Sequence, residues 1–107
     1  MNLTGTKWNM LQQFISQYAQ QTTNLQLSLE DNNKLSVTAA GQTYQGSWTH
    51  FLAYLIPHIT LTFTIGSTTF HYSGFAQSLQ GQYGMGGSIS VDGSEVGTWD
   101  ALSNPAP

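Results

Sequence analysis

The chain has no cysteine, very little positive charge and no long hydrophobic run, and each gap removes a class of function. Without cysteine there are no disulfides, no thiolate nucleophile and no cysteine-ligated zinc, and a common marker of small secreted domains is missing. Lys and Arg together number 2 against 5 Asp and Glu, a formal net charge of −3, which leaves no basic footprint for nucleic acid or anionic lipid. Nucleic acid is therefore not an expected partner. No stretch approaches the roughly 20 apolar residues of a membrane-spanning helix, so no transmembrane segment is expected. The opening "MNLTGTKW" lacks the charged region and apolar stretch of a secretion leader.

What remains is a chain able to fold. At 107 residues it fits one domain with one core, and 39% hydrophobic and 12% aromatic residues bury enough apolar surface to offset the entropy of ordering. Gln, Ser, Thr, Asn and Gly supply the solubility that charge does not. That palette is more usual outside cells, so the expectation is a secreted, monomeric protein whose signal sequence lies outside this chain.

Residues 6–20 read as an amphipathic helix. Trp8, Leu11, Ile15 and Tyr18 follow spacings of three, four and three, Phe14 widens the stripe, and Thr4 or Thr6 suits the N-cap. The competing reading makes Trp8 part of a first strand. After Thr23 the period drops to two. A loop at residues 31–33 pairs Leu29 with Leu35 and Leu27 with Val37, and sets Glu30 opposite Lys34. A turn at Gly41-Gln42 then places Tyr44 opposite Ala39, Gly46 opposite Val37 and Trp48 opposite Leu35. Gly66-Ser67 suits a type II′ turn that pairs Phe63 with Phe70, Leu61 with Tyr72 and Ile59 with Gly74, leaving Thr60, Thr62 and Thr64 on the other face against Ser73, His71 and Thr69. Asp92-Gly93 makes a type I′ hairpin with Ile89 facing Val96, a bulge at Gly97, and Trp99 pointing inward.

The resulting strands cover residues 24–30, 34–40, 43–49, 57–65, 68–76, 79–85, 87–91 and 94–101, with 50–58 as an apolar connector and 102–107 as a frayed tail. Short antiparallel strands with one apolar face and glycine corners favour closure. The fold class is therefore mainly β: a small antiparallel barrel of about eight strands, capped by one N-terminal helix.

Candidate chemistry is thin. His50, His58 and His71 are the only obvious acid-base or metal candidates, and the register puts His58 and His71 on the order of 13 Å apart, too far to share a metal. Most of the five acids flank hairpin turns, where turn chemistry accounts for them. There is no Gly-x-Ser-x-Gly elbow, and "GQYGMGGS" lacks the lysine and the strand-to-helix context of a phosphate loop. Neither a cofactor, a metal nor a catalytic residue is assigned. The terminal sequon Asn2-Leu3-Thr4 decides nothing.

The aromatic residues remain. Tyr44, Trp48, Tyr72 and Tyr83 are candidates for the edge of a pocket at one barrel mouth, with Phe63, Phe70, Trp99 and His71 completing the candidate ligand-binding set. The plainer reading is that the large aromatics fill the interior.

The Gly46-to-Trp48 and Gly97-to-Trp99 strand ends resemble those of the calycin group, the lipocalins and avidins. The stretch "ITLTFTIGSTTFHYSGFAQSLQGQYGMGGS", followed by "VGTW", resembles the last strands and glycine-rich close of the actinobacterial virulence-associated Vap proteins. The second resemblance implies a secreted eight-stranded barrel with one helix, no known catalysis and action at a host surface. The chain differs in placing its helical pattern first. The expected function is non-enzymatic binding of a small apolar or amphipathic molecule, or of a membrane or host surface, through one barrel mouth. The alternatives are a cofactor-free cyclase or isomerase using His71 and Tyr72, and a carbohydrate-binding module using Trp48 or Trp99.

Overall fold

The computed structural model describes residues 2–15 and 23–104. Its strands are β1 (Thr6–Phe14), β2 (Asn24–Leu29), β3 (Lys34–Ala39), β4 (Gln42–Ala53), β5 (Ile56–Ile65), β6 (Thr68–Leu79), β7 (Gln82–Val91) and β8 (Ser94–Ser103). Each pairs antiparallel with its neighbours in sequence, and β1 also pairs with β8, from Trp8↔Ser103 to Phe14↔Gly97, so the sheet closes into a barrel. Closure removes the free sheet edge along most of every strand, leaving it where β4 and β5 run past their neighbours.

The expected N-terminal helix is corrected. Residues 6–14 form β1, no helix occurs among the described residues, and residues 16–20 of that expectation lie outside them. Along β1 the buried positions are Trp8, Met10 and Gln12, a period of two, while Leu11 and Ile15 are more than half exposed. A polar residue at an inward position and apolar residues at outward ones imitated a helical stripe. Pairing on both sides, with β2 and with β8, outweighs that local pattern.

Other elements follow the reading closely or shift for identifiable reasons. The β2–β3 register has Leu29↔Leu35 and Leu27↔Val37, and the β5–β6 register has Ile59↔Gly74, Leu61↔Tyr72 and Phe63↔Phe70. The β3–β4 register moves by two: the turn is Ala40-Gly41, both at positive φ, which pairs Tyr44 with Val37 and Gly46 with Leu35. A shift of two preserves the inward face. Residues 79–85 and 87–91 do not form two strands, since β7 runs unbroken from Gln82 to Val91. In β8 the pairs Ser90↔Glu95 and Ile89↔Gly97 make Val96 the extra residue, one position before the expected bulge, and the resulting change of parity turns Trp99 inward. The last strand continues to Ser103, so the tail begins later than residue 102. The connector expected at 50–58 is the largest departure, because β4 and β5 extend through it and meet at a two-residue turn.

The interior is filled by aliphatic and aromatic side chains from every strand. Phe63 stacks on Tyr72 with ring centroids 5.2 Å apart, Tyr72 meets Trp99 edge-on at 5.8 Å, and Phe70 lies 6.0 Å from Phe63. Trp99 packs against a close approach of β6 and β7. A Cβ on Gly74 would lie 1.9 Å from the Gly86 carbonyl oxygen and one on Gly87 1.9 Å from that of Ser73, so only glycine fits either position. The Trp99 indole donates to the carbonyls of Ser88 (3.1 Å) and Ser73 (3.3 Å) beside this pair.

Candidate functional site

One end of the barrel carries the N-terminal turn, the β2–β3 loop and the β4–β5 and β6–β7 turns. Its mouth is plugged. Leu3 is 1% exposed, its carbonyl accepts from the Thr6 backbone NH (3.2 Å) and hydroxyl (2.5 Å), and the Gly5 NH bonds Leu29 O at 2.6 Å. The Trp8 indole donates to Thr6 Oγ1 at 2.8 Å and the Trp48 indole to Glu30 O at 2.8 Å, so both ring donors are used in holding the plug and the neighbouring loop.

The candidate residues from the sequence do not converge on this mouth. Trp48, Phe63, Phe70, Tyr72 and Trp99 are buried in the core. The Tyr72 hydroxyl donates to Gln12 Oε1 at 2.5 Å, and burial pushes its phenol well above the ordinary value. Tyr44 is half-buried and donates to Gln42 Oε1 at 3.0 Å. Tyr83 is half-buried and borders a groove of about 580 Å³ with Lys7, Leu79 and Asn104. His71 is exposed on the outer wall, with Nδ1 3.4 Å from Thr62 Oγ1. Among the described residues no three His, Asp or Glu side chains gather as a metal site.

The exposed apolar surface gathers on the β4–β5 hairpin. Phe51 is 53% exposed, Leu52 63%, Tyr54 97%, Leu55 91% and Ile56 48%. The last β3 partner of β4 is Ser47, and the β6 pairing of β5 begins at His58, so residues 52–57 pair only within their own hairpin. Its turn is strained: Tyr54 and Leu55 both adopt positive φ, 53° and 65°, a region bulky side chains avoid at a cost of about 1–3 kcal/mol each. Apolar area that stays in water on a strained turn contributes nothing to folding.

Two rows of outward side chains lie behind the tip. Phe51 stacks on His58 with centroids 4.9 Å apart, and His58 meets Phe75 edge-on at 4.6 Å, forming an aromatic row across β4, β5 and β6. The next row, by strand register, is Thr49, Thr60, Ser73, Ser88 and Thr98. The Thr49 and Thr60 hydroxyls bond each other, and Ser73 and Ser88 lie 3.4 Å apart. A groove of about 540 Å³ runs between the rows over Gly74 and Gly87, and one of about 680 Å³ is walled by Leu55, Pro57, Phe75, Leu79 and Leu102.

Electrostatics sets this wall apart. No Asp, Glu, Lys or Arg occurs from residue 35 to residue 91, so β4 to β7 carry no formal charge apart from any protonated histidine. That gap, and the unbroken apolar run at residues 51–57, are the sequence signals that mark this site; runs of exposed apolar residues are errors in a soluble protein unless they serve a function. Neither signal says which residues reach water until the hairpin is placed. No protein-family model, curated protein or solved structure matches the chain, so the structure shows an eight-stranded barrel and nothing that supports the resemblance to calycins or Vap proteins.

Proposed function

We propose that this protein is a non-enzymatic binding barrel that seats the β4–β5 hairpin in the interfacial layer of a neutral lipid bilayer. The observation that carries the reading is the turn itself: Tyr54 and Leu55 stand 97% and 91% exposed in a backbone conformation that favours Asn and Gly. Strain at an exposed turn persists where the side chains are selected for what they touch. Burying a side chain such as Leu52, Leu55 or Ile56 contributes about 1.5–3 kcal/mol each, and the cost of association takes at least ~4 kcal/mol of the total, so binding is reversible. Tyr54 and Phe51 are residue types that sit at the boundary between hydrocarbon and water. With no cation on β4 to β7, the attraction is hydrophobic and independent of anionic lipid.

A small-molecule pocket inside the barrel has less support, because the aromatics proposed to line it pack on one another. Cyclase or isomerase chemistry using His71 with Tyr72 meets a geometric objection: adjacent residues of β6 face opposite sides of the sheet, His71 outward and Tyr72 inward.

Co-sedimentation with phosphatidylcholine vesicles tests the proposal, with Tyr54→Trp as a reporter whose emission shifts to the blue when the tip leaves water. Saturable binding with that shift is expected. An unchanged spectrum at saturating lipid and no protein in the pellet would sink the reading.

A further inference from the structure

Resting on the hairpin reading, we infer that the membrane it enters displays neutral sugar headgroups, and that the row Thr49, Thr60, Ser73, Ser88 and Thr98 is the ledge that receives them. The order of chemistry along the hairpin carries this. Phe51 lies about 10 Å of strand behind Tyr54, and Thr49 about 17 Å, at ~3.3 Å per residue. Interfacial segments bury their apolar side roughly 5–10 Å into the boundary between headgroups and acyl chains. A tip seated at that depth brings the Phe51, His58 and Phe75 rings to the interface and the hydroxyl row to the headgroups.

The ledge carries the two kinds of group that a hexose needs. A pyranose has an apolar CH face that packs on aromatic rings and a rim of hydroxyls that both donate and accept. Here Phe51, His58 and Phe75 supply rings, while serine and threonine hydroxyls supply donors and acceptors in the adjoining row. The Ser73–Ser88 separation of 3.4 Å is long for a hydroxyl pair, so these groups keep bonding capacity for a ligand. The groove between the rows passes over the main chain at Gly74 and Gly87, whose positions face the core with Ile59 and Trp99, so its floor is backbone. Charge decides the class of headgroup. Of the residues lining the two grooves only Asp100 is charged, and it is an acid, which repels phosphate and acidic sugars and accepts from neutral hydroxyls.

The test compares vesicles of phosphatidylcholine alone with vesicles containing a neutral hexosyl diacylglycerol or an anionic phosphatidylglycerol. The hexosyl lipid is expected to tighten binding by about tenfold, the scale one or two net hydrogen bonds supply, and the anionic lipid to leave it unchanged or weaker. Ser73→Ala with Ser88→Ala, and separately the isosteric Thr60→Val, should remove that gain and leave binding to phosphatidylcholine as it was. Leu55→Asp should weaken binding to all three about 100-fold. Equal affinity for plain and hexosyl vesicles, a gain that survives the Ser73 and Ser88 substitutions, or preference for the anionic lipid overturns the headgroup assignment while the hairpin reading stands. No binding to any vesicle overturns both.

Discussion

Two turns of this barrel have nearly the same backbone and opposite chemistry. At the β7–β8 hairpin Asp92 and Gly93 adopt φ of 52° and 81°; at β4–β5 Tyr54 and Leu55 adopt 53° and 65°. Asp-Gly is a pair that such a turn selects on conformational grounds, because both central residues need positive φ. Tyr-Leu is a pair that no such selection would choose. The β7–β8 turn is therefore explained by its own backbone, whereas the backbone of the β4–β5 turn gives no reason for Tyr54 and Leu55, and the proposed bilayer contact would supply one.

The contrast can be broken most directly at Leu55. Leu55→Asp replaces a buried-on-binding leucine by a carboxylate and is expected to weaken vesicle association about 100-fold, on the order of 2.7 kcal/mol, measured by co-sedimentation. Next in size, writing Asp-Gly into the β4–β5 turn (Tyr54→Asp with Leu55→Gly) should stabilise the fold by about 2 kcal/mol by relieving left-handed strain, while vesicle binding weakens. That gain raises Tm by about 4–8 °C per kcal/mol in a domain of roughly this size. Loss of stability in that variant would mean that the apolar turn serves the fold.

Tyrosine offers a second contrast, between the tip and the core. Tyr72 is buried against Gln12 and held neutral, its pKa raised from 10.0 by desolvation. A group raised in the folded state contributes its full stability below the unfolded value and loses it as pH rises above that value. Chemical denaturation should therefore find stability falling above pH ~10 by about 1.4 kcal/mol per pH unit for this one proton, and Tyr72→Phe should flatten that part of the slope. The smallest expected effect is a control at the opposite end of the barrel: Ser67→Asp in the β5–β6 turn should change vesicle affinity less than about twofold, since the decisive surface is local.

How much was legible varied along the chain for physical reasons. The β5–β6 hairpin could be registered from sequence because Gly66-Ser67 has one good turn geometry and the alternation from Ile59 to Gly74 admits one inward face. The β1 strand hid behind Gln12, a polar residue that faces inward because Tyr72, far away in sequence, bonds it. The β4–β5 hairpin hid behind its own turn, which contains no residue a turn would favour, so by sequence the apolar run reads as a connector. The candidate site followed the same rule: its hydroxyl pair Thr60–Ser73 is readable within one hairpin, but the row it joins spans five strands.

By itself the sequence determined that strands dominate after Thr23, which side of each hairpin is apolar, and that the middle of the chain carries no charge, since these depend on alternation, turn residues and composition. The tertiary structure alone decided that residues 6–14 become a strand, that β1 meets β8, and that residues 52–57 run past their neighbours into water. Those outcomes depend on which distant strands supply hydrogen-bond partners and where that supply ends. No local window of residues contains that information.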